Sequence, residues 1–204
     1  MNIFQKVMVK SWVDDDHARP EVSGLATTPP GKVGLRFFLF VVSVLFFLLT
    51  ASYFMRMSMA DWQKLPLPSL LVLNTAVLVA ASFALQWGRN AAHAGDLAKA
   101  RQGLLLGGIL TFGFLGGQYA VWQDLMSLGY FASSNPSNSF FYLFTGVHAL
   151  HMAGGLVAWA RAMTYAREDD ADIEEVALRA DLGASYWHYL LLIWFYVYGL
   201  LLLT

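Results

Sequence analysis

Five stretches of this chain contain no aspartate, glutamate, lysine or arginine and are apolar almost throughout: residues 37–55, 69–87, 104–122, 140–160 and 184–203. Each is 19 to 21 residues long, and together they take up 98 of the 204 residues. At about 1.5 Å of rise per residue, a helix of that length crosses the ~30 Å hydrocarbon core of a bilayer. Inside lipid every backbone N–H and C=O must find a partner within the protein, which leaves helices or a closed barrel. A barrel would be written in ~10-residue alternating strands. The expected fold is therefore all-α, an integral membrane bundle of five transmembrane helices. Charged residues make up only 13% of the chain, with a net charge of −1; a soluble domain carries roughly a quarter. This balance excludes an ordinary soluble enzyme and a basic nucleic-acid binder. The absence of cysteine excludes a disulfide framework, a thiolate metal site and a cysteine nucleophile.

Charge orients the spans. Lys6, Lys10, Arg19, Lys32 and Arg36 precede the first span, Arg89, Lys99 and Arg101 lie between the second and third, and Arg161, Arg167 and Arg179 between the fourth and fifth. The opposite side has only Arg56 and Lys64. The split is eleven to two, so the positive-inside rule puts the N-terminus in the cytoplasm and the C-terminus outside. Residues 1–33 read as a cytoplasmic tail and 34–204 as the membrane domain. The first apolar run lies too far from the terminus, behind Asp14, Asp15 and Asp16, to be a secretory signal.

The connections carry their own signals. Pro66 and Pro68 suit the entry to the second span but not its interior. The polar run 133–139 is turn chemistry that ends in a helix cap for the fourth span. Within residues 168–181, Ile173, Val176, Ala177 and Ala180 recur at helical spacing, which predicts a short amphipathic helix on the cytoplasmic surface.

Ionisable groups at membrane depth usually mark function, and here only His148, His151 and His188 qualify. His148 and His151 share a helix face. Counted from the ends of the apolar runs, His188 misses His151 by roughly 8 Å and His148 by roughly 12 Å along the membrane normal, so a shared haem or metal is not expected. The histidines read as neutral, hydrogen-bonded structural groups. Gly103, Gly107 and Thr111, Gly113 and Gly117, and Gly146, Gly154 and Gly155 supply the small residues that let helices approach in lipid. They serve packing within the bundle or against another subunit. Trp62, Trp87, Trp122, Tyr186 and Trp187 fall near span ends, as an interfacial belt would.

Two motifs then stand out. The fourth span contains Thr145-Gly146-Val147-His148-Ala149-Leu150-His151 with Gly155 beyond it. The fifth opens with Tyr186-Trp187-His188-Tyr189, followed by Trp194. In this order and on these spans they resemble subunit III of the haem–copper respiratory oxidases. Leu73-Asn74-Thr75 with Ser82, and Phe114-Leu115 with Gln118, are weaker echoes. The resemblance covers about residues 33–204 and fits the shorter five-helix bacterial form. Three acidic positions of the family pattern are aliphatic here: Val42, Val121 and Leu191.

The resemblance implies a non-catalytic accessory subunit in the bacterial cytoplasmic membrane. It would pack beside the catalytic subunit I, with subunit II, hold phospholipid and support sustained turnover and proton uptake. Haem and copper would belong to those partners, not to this chain. An accessory subunit of a nitric oxide reductase is the alternative, and a small membrane transporter a more distant one. Thr145, Gly146, His148, His151, Gly155, Gly113 and Gly117 are expected to serve helix packing. Arg161, Arg167, Trp187 and His188, all near the cytoplasmic ends of the last two spans, are expected to surround an anionic phospholipid head group; otherwise the arginines only snorkel.

Overall fold

A computed structural model describes residues 29–203. The tail expected over residues 1–33 falls almost entirely outside the described residues. Five helices account for most of the rest: α1 (Pro30–Met57), α2 (Leu70–His93), α3 (Leu97–Ser127), α4 (Pro136–Ala166) and α5 (Ile173–Leu203). All five are long and apolar enough to cross a membrane, and among the described residues there is no strand. Each holds one of the apolar runs, save that Ser69 of the second run is the N-cap of α2, and each extends past its run at one end or both. One end of the bundle holds the start of α1, the α2–α3 turn and the α4–α5 connection; it is called the near end below. The far end holds the α1–α2 and α3–α4 connections.

The helix ends lie where local chemistry stops them. Asp96 caps α3 by accepting the Lys99 N–H at 2.9 Å, and Lys99 holds the Asp96 carboxyl below its usual range. Gly95, at φ 78°, makes the tight α2–α3 turn in the left-handed region that suits glycine. Asn135 caps α4 by accepting the Ser137 N–H at 3.0 Å, with Pro136 in the first turn. Ser137 to Ser139 thus already belong to the helix. The amphipathic segment is not a separate surface helix. It forms the first turns of α5, which runs unbroken for 31 residues, or about 46 Å. Val176, Ala177 and Ala180 are buried along the stripe that the sequence spacing marks. Because that stripe packs inward, there is no reason for the chain to break before the span.

The main core lies among α2, α3, α4 and α5, around Leu78, Phe114, Met152, Trp187 and Trp194. Helices α2 and α3 approach most closely. A methyl group on Gly103 would collide with the backbone of Gly88, and one on Gly107 with Leu85. Helix α1 stands at the edge and packs mainly on α4 and α5 through a second cluster of Val42, Phe46, Tyr53, Phe144 and Val197.

Lipid offers no hydrophobic force to drive helices together, and polar pairs do part of that task. Three tryptophans donate their indole N–H to threonines on other helices: Trp187 to Thr111 at 2.9 Å, Trp194 to Thr75 at 2.9 Å and Trp122 to Thr145 at 3.0 Å. Each threonine hydroxyl also donates to the carbonyl four residues back, at 2.7 Å, so each indole finds an acceptor whose own proton is already placed. Trp187 and Trp122 therefore differ from the interfacial belt expected of them. Trp187 is 1% exposed; its ring fills the space that small residues leave between α3 and α4.

Candidate functional site

A cleft of about 870 Å³ opens between α1, α4 and α5. Leu35 and Phe38 line it from α1, Gly155 and Trp159 from α4, Leu182 and Tyr186 from α5, and its floor reaches Leu85 and Leu104. Glycine stands along its walls at Gly31, Gly154, Gly155 and Gly183, and at Gly154 and Gly183 nothing lies within 4 Å of the missing side chain. At Gly155 the missing side chain admits the Tyr186 ring. Trp159 leans across α3 and donates its N–H to the Leu104 carbonyl at 2.7 Å, filling the place where Gly108 has no side chain.

Two guanidinium groups stand at the near-end mouth of this apolar space, Arg161 and Arg179. Arg179 is engaged: it pairs with Glu175 at 2.7 Å, stacks over Tyr165 at 4.2 Å and reaches the Arg161 carbonyl at 3.4 Å. Among the described residues Arg161 has no ion-pair partner. A strongly basic, bidentate donor above an apolar slot suits an anionic head group with acyl chains below it.

Of the four residues grouped by sequence around a head group, the structure brings two to this cleft, Arg161 and Trp187. Arg167 follows the end of α4 as its C-cap and does not line the cleft. Six residues at 100° each turn it about a third of a circle from Arg161. His188 faces away, toward α2, where its ring bonds Ser82 and donates to Gln86 Oε1 at 2.9 Å.

The histidine depths need correction. Tyr186 donates its O–H to the His151 carbonyl at 2.8 Å, and His148 Nε2–H donates to the Leu190 carbonyl at 3.1 Å. His188 lies between Tyr186 and Leu190 on α5, so its depth falls between those of His151 and His148, which are themselves about 4.5 Å apart along α4. The offset expected from the apolar runs fails because the first turns of α5 pack beside the end of α4, so the edges of the two runs are not level. The rings are separated by direction instead. His188 points to α2, and His148 is enclosed by Phe114 and Trp194 at 5.7 and 5.0 Å. His151 lies between Phe38 and Phe46 at 6.2 and 6.0 Å. Among the described residues no three of His, Cys, Asp or Glu gather where one metal ion could reach them.

The remaining residues expected to pack behave differently from one another. Gly117 lies against the Asn74 carboxamide, Gly113 makes an ordinary contact with Val77 at 3.7 Å, and Gly146 has nothing within 4 Å of its missing side chain. Thr145 is buried in its bond with Trp122.

Sequence reasoning missed the Asp181 junction at the near end. This carboxylate accepts from Lys32 at 2.9 Å, Arg89 at 2.7 Å and His93 at 2.8 Å, joining the starts of α1 and α5 to the end of α2. In the sequence Lys32 and Arg89 are legible only as positive charges that set topology, and His93 carries no signal of its own. Their convergence on one acid depends on the helix packing.

The architecture and the cleft define a class: a multi-pass membrane bundle with a lateral apolar opening. The cytochrome c oxidase subunit III profile matches residues 1–203, and the chain belongs to that family. The match extends over the first 32 residues, which the motif resemblance did not cover. A probable cytochrome c oxidase subunit 3 of Nocardia farcinica is 31% identical over 172 residues, covering 81% of this chain and 84% of the relative. One from Mycobacterium bovis is 33% identical, covering 72% and 74%. The cytochrome c oxidase subunit 3 of Thermostichus vulcanus is 26% identical, covering 93% and 90%.

Proposed function

We propose that this chain is a non-catalytic accessory subunit of a haem–copper terminal oxidase in a bacterial cytoplasmic membrane. It packs against the catalytic subunit I, with subunit II in the same complex, and those partners hold the haem and copper. The N-terminus and the near end of the bundle face the cytoplasm, in keeping with the eleven-to-two division of basic residues. Family membership carries the oxidase reading, and the names of the relatives favour it over a nitric oxide reductase.

The chain's own contribution is to hold an anionic phospholipid in the α1–α4–α5 cleft and so to support sustained turnover and proton uptake. The observation behind this is the Arg161 guanidinium at an apolar slot, without an ion-pair partner among the described residues. Trp187 belongs to the wall of that site, whereas Arg167 and His188 act elsewhere, as a helix-end anchor and as a link to α2.

Affinity purification of the tagged chain in mild detergent tests the first part. Haem and copper should co-purify with larger subunits and dissociate with them. Stoichiometric iron or copper retained on the isolated chain would overturn the reading. For the second part, Arg161→Gln should strip phospholipid from the complex and shorten its active lifetime at nearly unchanged initial turnover. Unaltered lipid content and lifetime would mean that the cleft holds no such lipid.

A further inference from the structure

Two side chains in the middle of the bundle have a buried polar atom with no hydrogen-bond partner among the described residues: Gln118 Nε2 on α3 and His148 Nδ1 on α4. Gln118 is 1% exposed and His148 is 0% exposed. An amide N–H or ring nitrogen left unpaired in such surroundings is costly, about 1–3 kcal/mol each, so one such group calls for an explanation and two neighbouring ones call for a shared explanation.

They are neighbours by register. One turn before Gln118, Phe114 packs on the His148 ring at 5.7 Å. One turn after it, Trp122 donates to Thr145, the residue three before His148. Gln118 thus faces α4 between Thr145 and His148.

Their chemistry is complementary. His148 Nε2 faces a carbonyl, which can only accept, so the ring proton is on Nε2 and a neutral imidazole leaves Nδ1 as a bare acceptor. Gln118 Oε1 accepts from Asn74 Nδ2 at 3.4 Å, which orients the amide and leaves Nε2 with protons to give. By the α3–α4 register a donor and an acceptor stand at neighbouring levels of the same helix contact, and they do not bond each other. One water molecule satisfies both, accepting from the amide and donating to the ring, as internal waters do when two to four polar partners converge.

We propose that Gln118 and His148 form a binding site for a single internal water. It completes a one-directional hydrogen-bond chain from Asn74 on α2 through Gln118 on α3 and His148 on α4 to the Leu190 carbonyl on α5. Four of the five helices are joined at one depth by a bridge that no pair of side chains makes alone.

Cryo-electron microscopy of the full chain, purified in mild detergent with the subunits that accompany it, tests the site at a resolution that orders internal waters. A density peak within hydrogen-bond distance of both atoms is the expected result. An empty interval, or a direct Gln118–His148 bond, would overturn the proposal. Melting temperatures give a second readout through Gln118→Met, His148→Leu and the double variant. Each single change orphans the water and the opposite group, so the double variant should lose about 2–4 °C less than the sum of the singles. Additive losses would also overturn the bridge. If a variant fails to accumulate, the wild-type map decides.

Discussion

The two sides of α4 solve the same problem in opposite ways. Toward α3 and α5 the space is filled: glycine admits a neighbouring ring at Gly155 and Gly108, and indoles reach across to threonine hydroxyls. Toward α1 the same helix also carries small residues, but Gly154 has nothing within 4 Å, and a cleft of about 870 Å³ results. Glycine therefore does not dictate close packing in a membrane. It permits it, and whether a ring, a backbone or open space follows depends on what the facing helix offers. Toward α1 the facing side chains are Leu35 and Phe38, neither of which offers a hydrogen bond across the gap.

Breaking the closed side should have the largest effect. Gly103→Val places branched carbons against the backbone of Gly88, which cannot rotate away, and overpacking of this kind costs about 1–3 kcal/mol or more. The variant should fail to accumulate in the membrane by immunoblot, while Gly154→Ala on the open side accumulates normally and melts like wild type. Equal accumulation of the two would mean that the α2–α3 contact is looser than described.

Next comes the Asp181 junction, where α1 is attached to the rest. Removing one member of a buried ion pair costs about 3–5 kcal/mol, but Lys32, Arg89 and His93 are 36%, 37% and 51% exposed, and water lowers the cost to about 1–3 kcal/mol. Asp181→Asn should lower the melting temperature. It should also speed maleimide labelling of Leu35→Cys, a position on the cleft wall in a chain without any other cysteine. Unchanged labelling would show that the junction does not hold the cleft's α1 wall.

Trp187→Phe isolates a single indole bond. Hydrogen bonds between transmembrane helices average about 0.6 kcal/mol and reach about 1.7, so with the lost ring volume the cost should be about 1–2 kcal/mol by thermal unfolding in detergent. Thr111→Val, which removes the acceptor, should cost nearly as much, and the double variant little more than either. Strict additivity would argue that the Trp187–Thr111 bond contributes nothing.

The smallest effect on stability is expected on the open side. Arg161→Gln should leave the melting temperature of the delipidated chain unchanged and lower its bound phospholipid, whereas Arg167→Gln should alter neither. Parallel lipid losses in both variants would point to general surface charge in place of a site.

The spans were legible because uncharged runs as long as 140–160 have few alternatives. Helix ends were less so: hydropathy marks where hydrocarbon begins, while Asp96 and Asn135 mark where hydrogen bonding starts, several residues earlier. The lining of the cleft was legible only in part. Arg161 and Trp187 share the cleft, but the azimuth that turns His188 toward Ser82 and Arg167 out of the cleft depends on how each helix is rotated, and uniformly apolar spans leave little pattern from which to read rotation. The three indole–threonine bonds were not legible, since each joins residues on different helices and neither partner is unusual on its own.

The edge position of α1 bears on how the protein is made. Its straps are Lys32 to Asp181, Tyr189 to the Leu39 carbonyl at 3.0 Å, and Tyr196 to Thr50 at 3.0 Å. Every partner lies on α5, some 150 residues downstream. Of the five described helices, the first to be made thus receives these straps only from the last. Until α5 is made those straps are missing, Phe37, Phe40 and Phe47 are exposed, as they remain even in the finished bundle, and the cleft has no third wall. The cleft is closed only when α5 is in place, so a chain cut short before α5 lacks both these straps and the third wall of the cleft.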